Sequence, residues 1–519
     1  MPDPSSIFEH IRAHVRPGVL GLAEGGEALP DDEIFAKGDG DLRFAPGALD
    51  GLYLRYAASD DDEAAVARLN AALVALANRP HPRTRDRVRE LFREGDVRLR
   101  VDALTSRLAA FPPQSQAALY DEVRAIFLSS GHRDEVKYAM ALMSTFRRPD
   151  DADLFRLIAR HEEFTLYAAV ALSNLVEEPV REWLELLPHV VGWGRTELSN
   201  LILREPQPED VRAQLVRSGL GIGNALTLAR GCRLHELLGE PEIDDELLTG
   251  AREIIASLAR GWLDPSVLTD YEHAAEASEH LVRHLGRRTP DLDDFVCVFE
   301  LRRFLTDRHR IDVETGEAAL PSAGFDEQRL SRVVSLCTAF VERDVWSDRA
   351  RDAMASDDAA ERRRGMDVAA RLGIDLHQYL VDRIRNDPGD PDLWYRFVAG
   401  TDELRLREAV GLAVSLWDLS EIARGPVPSQ LKGARGPLAS AGWIIQELVR
   451  FPGVGAPLIA ASLRSPVTND RALALRALSR WQEKPSELME LVADLARMDP
   501  SERLREDAGL VLAGRSLPA

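Results

Sequence analysis

Three histidines and three glutamates fall within one short stretch, Tyr271-Glu272-His273-Ala274-Ala275-Glu276-Ala277-Ser278-Glu279-His280-Leu281-Val282-Arg283-His284. His273, Glu276, His280 and His284 stand at i, i+3, i+7 and i+11, which is one face of a helix. Imidazoles four residues apart can both reach a zinc ion, and a nearby carboxylate can complete the set. The metal candidate is therefore Glu276, His280 and His284, with His273 preceding them. The order matches neither zinc-protease helix: Leu281 takes the glutamate place of H-E-x-x-H, and Ala277 follows Glu276 where H-x-x-E-H needs a histidine. Residues i and i+11 lie about 16 Å apart at 1.5 Å rise, so one helix cannot offer all four side chains to one ion. A further ligand would have to come from an element that the sequence does not identify. The competing reading, which is preferred, is a solvated polar face on a surface helix. No catalytic, cofactor-binding or metal residue is assigned.

Other short motifs fall away on inspection. Gly219-Leu220-Gly221-Ile222-Gly223 lacks the third glycine of a dinucleotide fingerprint, because Asn224 stands there and the preceding segment reads as helix. A helix end and tight turn is the better reading. His132-Arg133-Asp134 echoes a kinase catalytic loop, but Ala139 occupies the asparagine position and no glycine-rich loop precedes it. Arg362-Arg363-Arg364 falls on a helix, where its side chains fan apart beside local acids. The segment Arg424-Gly425-Pro426-Val427-Pro428-Ser429-Gln430-Leu431-Lys432-Gly433-Ala434-Arg435-Gly436 carries three cations and no acid. It could bind phosphate or an acidic partner, against a flexible connection with solvated charges. Tryptophans such as Trp183, Trp193, Trp394 and Trp443 lack periodic basic partners and read as core or groove residues, not base-stacking platforms.

Charge narrows the partners. The chain of 519 residues has a formal net charge of −21, a sign that opposes a nucleic-acid backbone or an anionic membrane surface. Only Lys37, Lys137, Lys432 and Lys484 are lysines, so the positive charge is nearly all arginine, as a GC-rich bacterial genome would produce. Cys232, Cys297 and Cys337 form no disulfide framework, and Cys297 in Phe295-Val296-Cys297-Val298-Phe299 reads as a buried, reduced thiol. The N-terminus lacks the pattern of a signal peptide, and apolar runs such as Ala71 to Ala77 fall far short of the ~18 residues of a membrane span. A cytoplasmic protein is expected.

The elements that must position all these residues are helices. In Glu162 to Leu175, Ala168, Ala171, Leu172 and Leu175 line one face, where small alanines admit a close neighbour and leucines fill the groove. Ser6 to Val15 predicts an amphipathic helix with Ile7, Phe8, Ile11 and Val15 on one side. Pro46 opens a helix through Leu49, Leu52 and Tyr56. The acid run Ser59-Asp60-Asp61-Asp62-Glu63 sits at the N-terminus of a helix over Ala64 to Ala77, where carboxylates favour the dipole. An acid or serine recurs seven residues before a small-plus-large pair: Asp96 before Ala103-Leu104, Asp134 before Ala141-Leu142, Asp402 before Ala409-Val410, Asp470 before Ala477-Leu478, and Ser501 before Ala508. The acid starts the helix and the pair faces a neighbour two turns on. Copies are spaced irregularly, 134 − 96 = 38 residues in one place and 501 − 470 = 31 in another.

This pattern resembles HEAT repeats, most clearly in Pro466 to Gly514, where Asn469-Asp470-Arg471-Ala472-Leu473-Ala474-Leu475-Arg476-Ala477-Leu478 looks like a repeat's second helix. The period drifts and the usual first-helix proline is inconsistent. The resemblance implies an all-α fold, an α-solenoid of stacked antiparallel helix pairs in two halves. Residues 1–45 read as an irregular N-terminal segment, 46–307 as one helical array, 308–328 as a linker or insertion without helical periodicity, and 329–519 as a second array. It also implies a non-catalytic scaffold that binds a protein or peptide partner, without cofactor. Two rivals stand beside it: a metal-dependent enzyme using Glu276, His280 and His284, and a DNA-binding or DNA-repair protein, since some HEAT-like proteins are DNA glycosylases.

Overall fold

A computed structural model of the chain describes residues 5–32, 45–48, 60–108, 113–261, 267–314, 323–426 and 436–518. Among the described residues the regular structure is helical, with 28 α-helices and no strand. No described helix is long and apolar enough to cross a membrane. The chain divides into two compact units, Met1–Asp352 and Ala353–Ala519.

Side-chain caps account for a number of the helix starts. The Asp402 side chain accepts the Arg405 N–H at 2.9 Å and opens the helix Glu403–Leu416. Asp358, Asp326, Asp244 and Ser501 do the same for Ala359–Arg371, Glu327–Val341, Asp245–Arg260 and Glu502–Leu512. Each cap satisfies a backbone donor that the helix itself leaves unpaired. Asp134 and Asp470 instead lie in the first turns of Arg133–Thr145 and Thr468–Ser479. Of the pairs that begin seven positions later, Leu104, Leu142, Ala409, Ala477 and Leu478 are buried, as is Ala508, whereas Ala103, Ala141 and Val410 are half-buried.

Packing runs between helices close together in the chain. In the first unit Arg133–Thr145 packs on Glu162–Ser173, and that helix packs on Gly192–Ile202. Further on, Asp245–Arg260 packs on Leu292–Glu314, while Leu234–Gly239 packs on Ala274–Arg287, which packs on Glu327–Val341. In the second unit Pro391–Val398, Pro437–Leu448, Thr468–Ser479 and Glu502–Leu512 form a similar succession. Its core gathers Trp394, Trp417, Ile444, Ile445, Leu475 and Leu478, and both indole N–H groups, of Trp394 and Trp417, donate to the Pro388 carbonyl at 2.9 Å. The helix Ile7–His14 reaches farther, lying against Pro113–Ser129 and Ala152–Ile158. It buries Ile7, Phe8 and Ile11, and Ser6 caps it.

Several expectations need adjusting. The acid run begins its helix at Asp60, and the helix extends to Asn78, so the acids form the first turn. The segment 308–328 does not begin as an interruption: Leu292–Glu314 continues helical through residues 308–314, and 315–322 lie outside the described residues. Residues 45–48 include a turn, and the rest of the helix expected from Pro46 lies outside the described residues, as does 427–435 of the basic segment. The stretch from Tyr271 is not one helix. A 3-10 turn, Leu268–Asp270, precedes it, and the α-helix starts at Ala274 with His273 as its N-cap residue.

Candidate functional site

The late start of that helix changes which groups meet. His273 sits before the helix as its N-cap residue. His284 is buried, and its Nε2 lies 3.0 Å from the Leu238 carbonyl oxygen. That nitrogen therefore donates to backbone, and the expected solvated face is only partly exposed. His280 Nε2 lies 3.9 Å from Glu276 Oε1.

What the sequence could not supply comes from the neighbouring helix Leu234–Gly239. His235, His273 and Glu276 each bring a ligand atom within 4.8 Å of the others. The two imidazole rings stack at 3.7 Å between centroids, 12° from parallel. Buried Tyr271 holds His235 twice: its hydroxyl accepts the His235 backbone N–H at 3.1 Å and lies 2.9 Å from Nδ1. Burial, and then the neighbouring His273, lower the His235 pKa below that of an ordinary histidine. The flanking carboxylates are engaged with arginines, Glu236 with Arg212 at 3.0 Å and with Arg233, and Glu272 with Arg230 at 3.0 Å.

The remaining motifs resolve as structure. In the glycine stretch, Gly219 and Gly223 take positive φ between the helices Glu209–Arg217 and Ala225–Gly231. A Cβ on Gly221 would stand 2.3 Å from Thr196 Oγ1, so the turn is packed against the helix Gly192–Ile202. His132 precedes a helix, and Arg133 pairs with Asp31 at 2.9 Å and Asp32 at 2.6 Å. Arg362 donates to the carbonyls of Ser356 and Asp357, and Arg363 lies 3.7 Å from Asp392. The three cysteines are buried and each thiol is pushed up to about 12 by burial, which makes them poor nucleophiles. Gly436 precedes the helix Pro437–Leu448, and Arg424 lies 3.9 Å from Glu421.

Of the tryptophans, Trp183 donates to the Ala169 carbonyl at 2.9 Å, and Trp394 is wholly buried. Trp443 differs, at 39% exposed beside Tyr395 at 42%. The two rings meet edge to face at 4.9 Å, one from Pro437–Leu448 and one from Pro391–Val398. Sequence reasoning grouped Trp443 with core or groove residues. The signal against the core was present: Ala441, Ile444, Ile445 and Leu448 form the buried stripe of that helix, and residue 443 falls off it.

Against this geometry, comparison with known proteins returns no matching family model and no matching curated relative.

Proposed function

We propose that this chain is a HEAT-like helical array, built of stacked antiparallel helix pairs, whose work is to bind a protein or peptide partner. The succession of helices that pack on near neighbours supports the array: such an arrangement buries a continuous core while leaving long faces open. The partner reading is carried by one observation, the exposed Tyr395–Trp443 pair. Large aromatic rings held in contact on two packed helices lose little conformational freedom on binding, and Trp and Tyr dominate the energetic centres of protein interfaces. The high acidity favours a partner without long runs of negative charge.

The test is quantitative capture with crosslinking, using the full chain and Tyr395→Ala/Trp443→Ala, with Leu404→Ala as an exposed control in the same unit. Crosslinked peptides of one partner should fall around residues 391–398 and 437–448. The double variant should lose that partner while the control retains it, and thermal melting should show both variants folded. A captured set identical in the double variant and the wild type, together with turnover in a substrate screen, would overturn the reading.

A further inference from the structure

We propose that His235, His273 and Glu276 form a zinc-type divalent-metal site that joins the helix Leu234–Gly239 to the start of Ala274–Arg287. Three donor atoms of two chemical types, from two elements, already lie within 4.8 Å of one another. Zinc binds imidazole nitrogen at about 2.0–2.1 Å, and tetrahedral geometry then sets donors about 3.4 Å apart. The remaining approach is small, and His273 can make it, because its side chain is exposed at the end of the helix. Unstacking the two rings accompanies the move.

Tyr271 supplies the outer support that such sites use. Its hydroxyl oxygen lies 2.9 Å from His235 Nδ1; with Nδ1–H donating to that oxygen, Nε2 is the nitrogen that would take the ion. Tyr271 is fully packed, so this support is rigid. Glu236 and Glu272 are held by arginines, whereas among the described residues Glu276 has His280 Nε2, at 3.9 Å, as its one ion-pair contact. That leaves Glu276 as the carboxylate able to turn to an ion. Two imidazoles and one carboxylate suit Zn²⁺ and related transition ions, while Mg²⁺ and Ca²⁺ prefer all-oxygen shells. A fourth position remains for water.

The site differs from the one the sequence suggested. Of Glu276, His280 and His284, only Glu276 takes part; His284 is turned to the Leu238 carbonyl.

The experiment is calorimetric titration of the chelator-stripped full chain with ZnCl₂, repeated with MgCl₂. One equivalent of Zn²⁺ should bind, and Mg²⁺ should not. His273→Ala, a surface change, should weaken zinc binding roughly tenfold or more, in line with the loss that even outer partners of a ligand cause. Glu276→Gln should weaken it as well. His10→Ala should leave this binding unchanged; it controls for the other close histidine pair, His10 with His14, whose ring centroids lie 4.4 Å apart at a 42° tilt. Circular dichroism of each variant secures the comparison against unfolding. Absence of saturable zinc uptake by the wild type, or uptake as tight and as stoichiometric in His235→Ala/His273→Ala, overturns the proposal.

Discussion

Lys137, His161 and Glu163 are buried and bound to one another or to backbone, whereas His235, His273 and Glu276, a similar mixture of histidine and glutamate, stand half-buried or exposed. In the first region Lys137 Nζ lies 2.8 Å from Glu163 Oε1, and Glu163 Oε2 accepts the Gly47 N–H at 3.2 Å. Burial pushes the Glu163 carboxyl up, but the Lys137 and Arg133 cations override it and hold the carboxyl below its usual range. His161 caps Glu162–Ser173 through Nδ1, which accepts the Glu163 N–H at 3.1 Å, and its Nε2 donates to the Glu27 carbonyl at 3.2 Å. Both ring nitrogens are thus employed, which fixes one neutral tautomer. In the second region Tyr271 engages one nitrogen of His235, and His273 is exposed. The difference teaches that residue type does not decide role here. His161 has both nitrogens bonded to backbone groups, whereas His235 has one nitrogen engaged by Tyr271 and stands beside His273 and Glu276.

Substitutions can break this contrast or sharpen it. The largest effect is expected for Lys137→Met, which leaves Glu163 buried without its nearest cation. Removing one partner of a buried pair costs about 3–5 kcal/mol, so the urea midpoint should fall well below wild type, and Glu163→Gln in the same chain should restore part of the loss.

A comparable effect belongs to pH. His161 has its pKa lowered to about 4, by burial first, against an unfolded value near 6.5. Below pH 6.5 the unfolded chain takes up a proton that the folded site refuses, so stability present at neutral pH is lost as pH falls toward 4. The full difference is roughly 3 kcal/mol. His161→Asn keeps a side-chain acceptor at the cap but does not titrate. Urea melts from pH 7 to 4 should fall less steeply in that variant, and equal slopes would deny His161 its part.

The smallest effect should come from His273→Ala without metal. An exposed side chain at a helix start should change stability by no more than about 0.5 kcal/mol, measured by the same melts. A loss as large as that of Lys137→Met would make the two regions alike.

How much of this could be read from sequence depends on whether the partners are near in the chain. Asp402 and Ser501 act on N–H groups three residues away, so their caps were legible. So was the packing of Ala168, Ala171 and Leu172, which follows helical period, whereas Leu175, expected on the same face, falls after the helix end and is half-buried. The histidine cluster was half legible. Glu276 and His273 stood out by type, but His235 comes from another helix, 38 residues before His273, and its role depends on a packing that periodicity does not encode. The start at Ala274 also hid the geometry, since the polar residues before it continue a helical pattern without being helix. Lys137 illustrates the same limit. As one of four lysines it suggested nothing beyond composition, yet it lies buried against Glu163, a residue on the next packed helix.

The array itself is tested most directly by hydrogen exchange on the full chain with Leu475→Ala. Leu475 is wholly buried in Thr468–Ser479, and a leucine-to-alanine change in a core costs about 2–5 kcal/mol. If each helix pair is stabilised by its immediate neighbours, protection should drop most in Thr468–Ser479, less in Pro437–Leu448 and Glu502–Leu512, and hardly at all in His377–Asn386. An equal loss of protection across residues 353–519 would show one indivisible core and contradict the array.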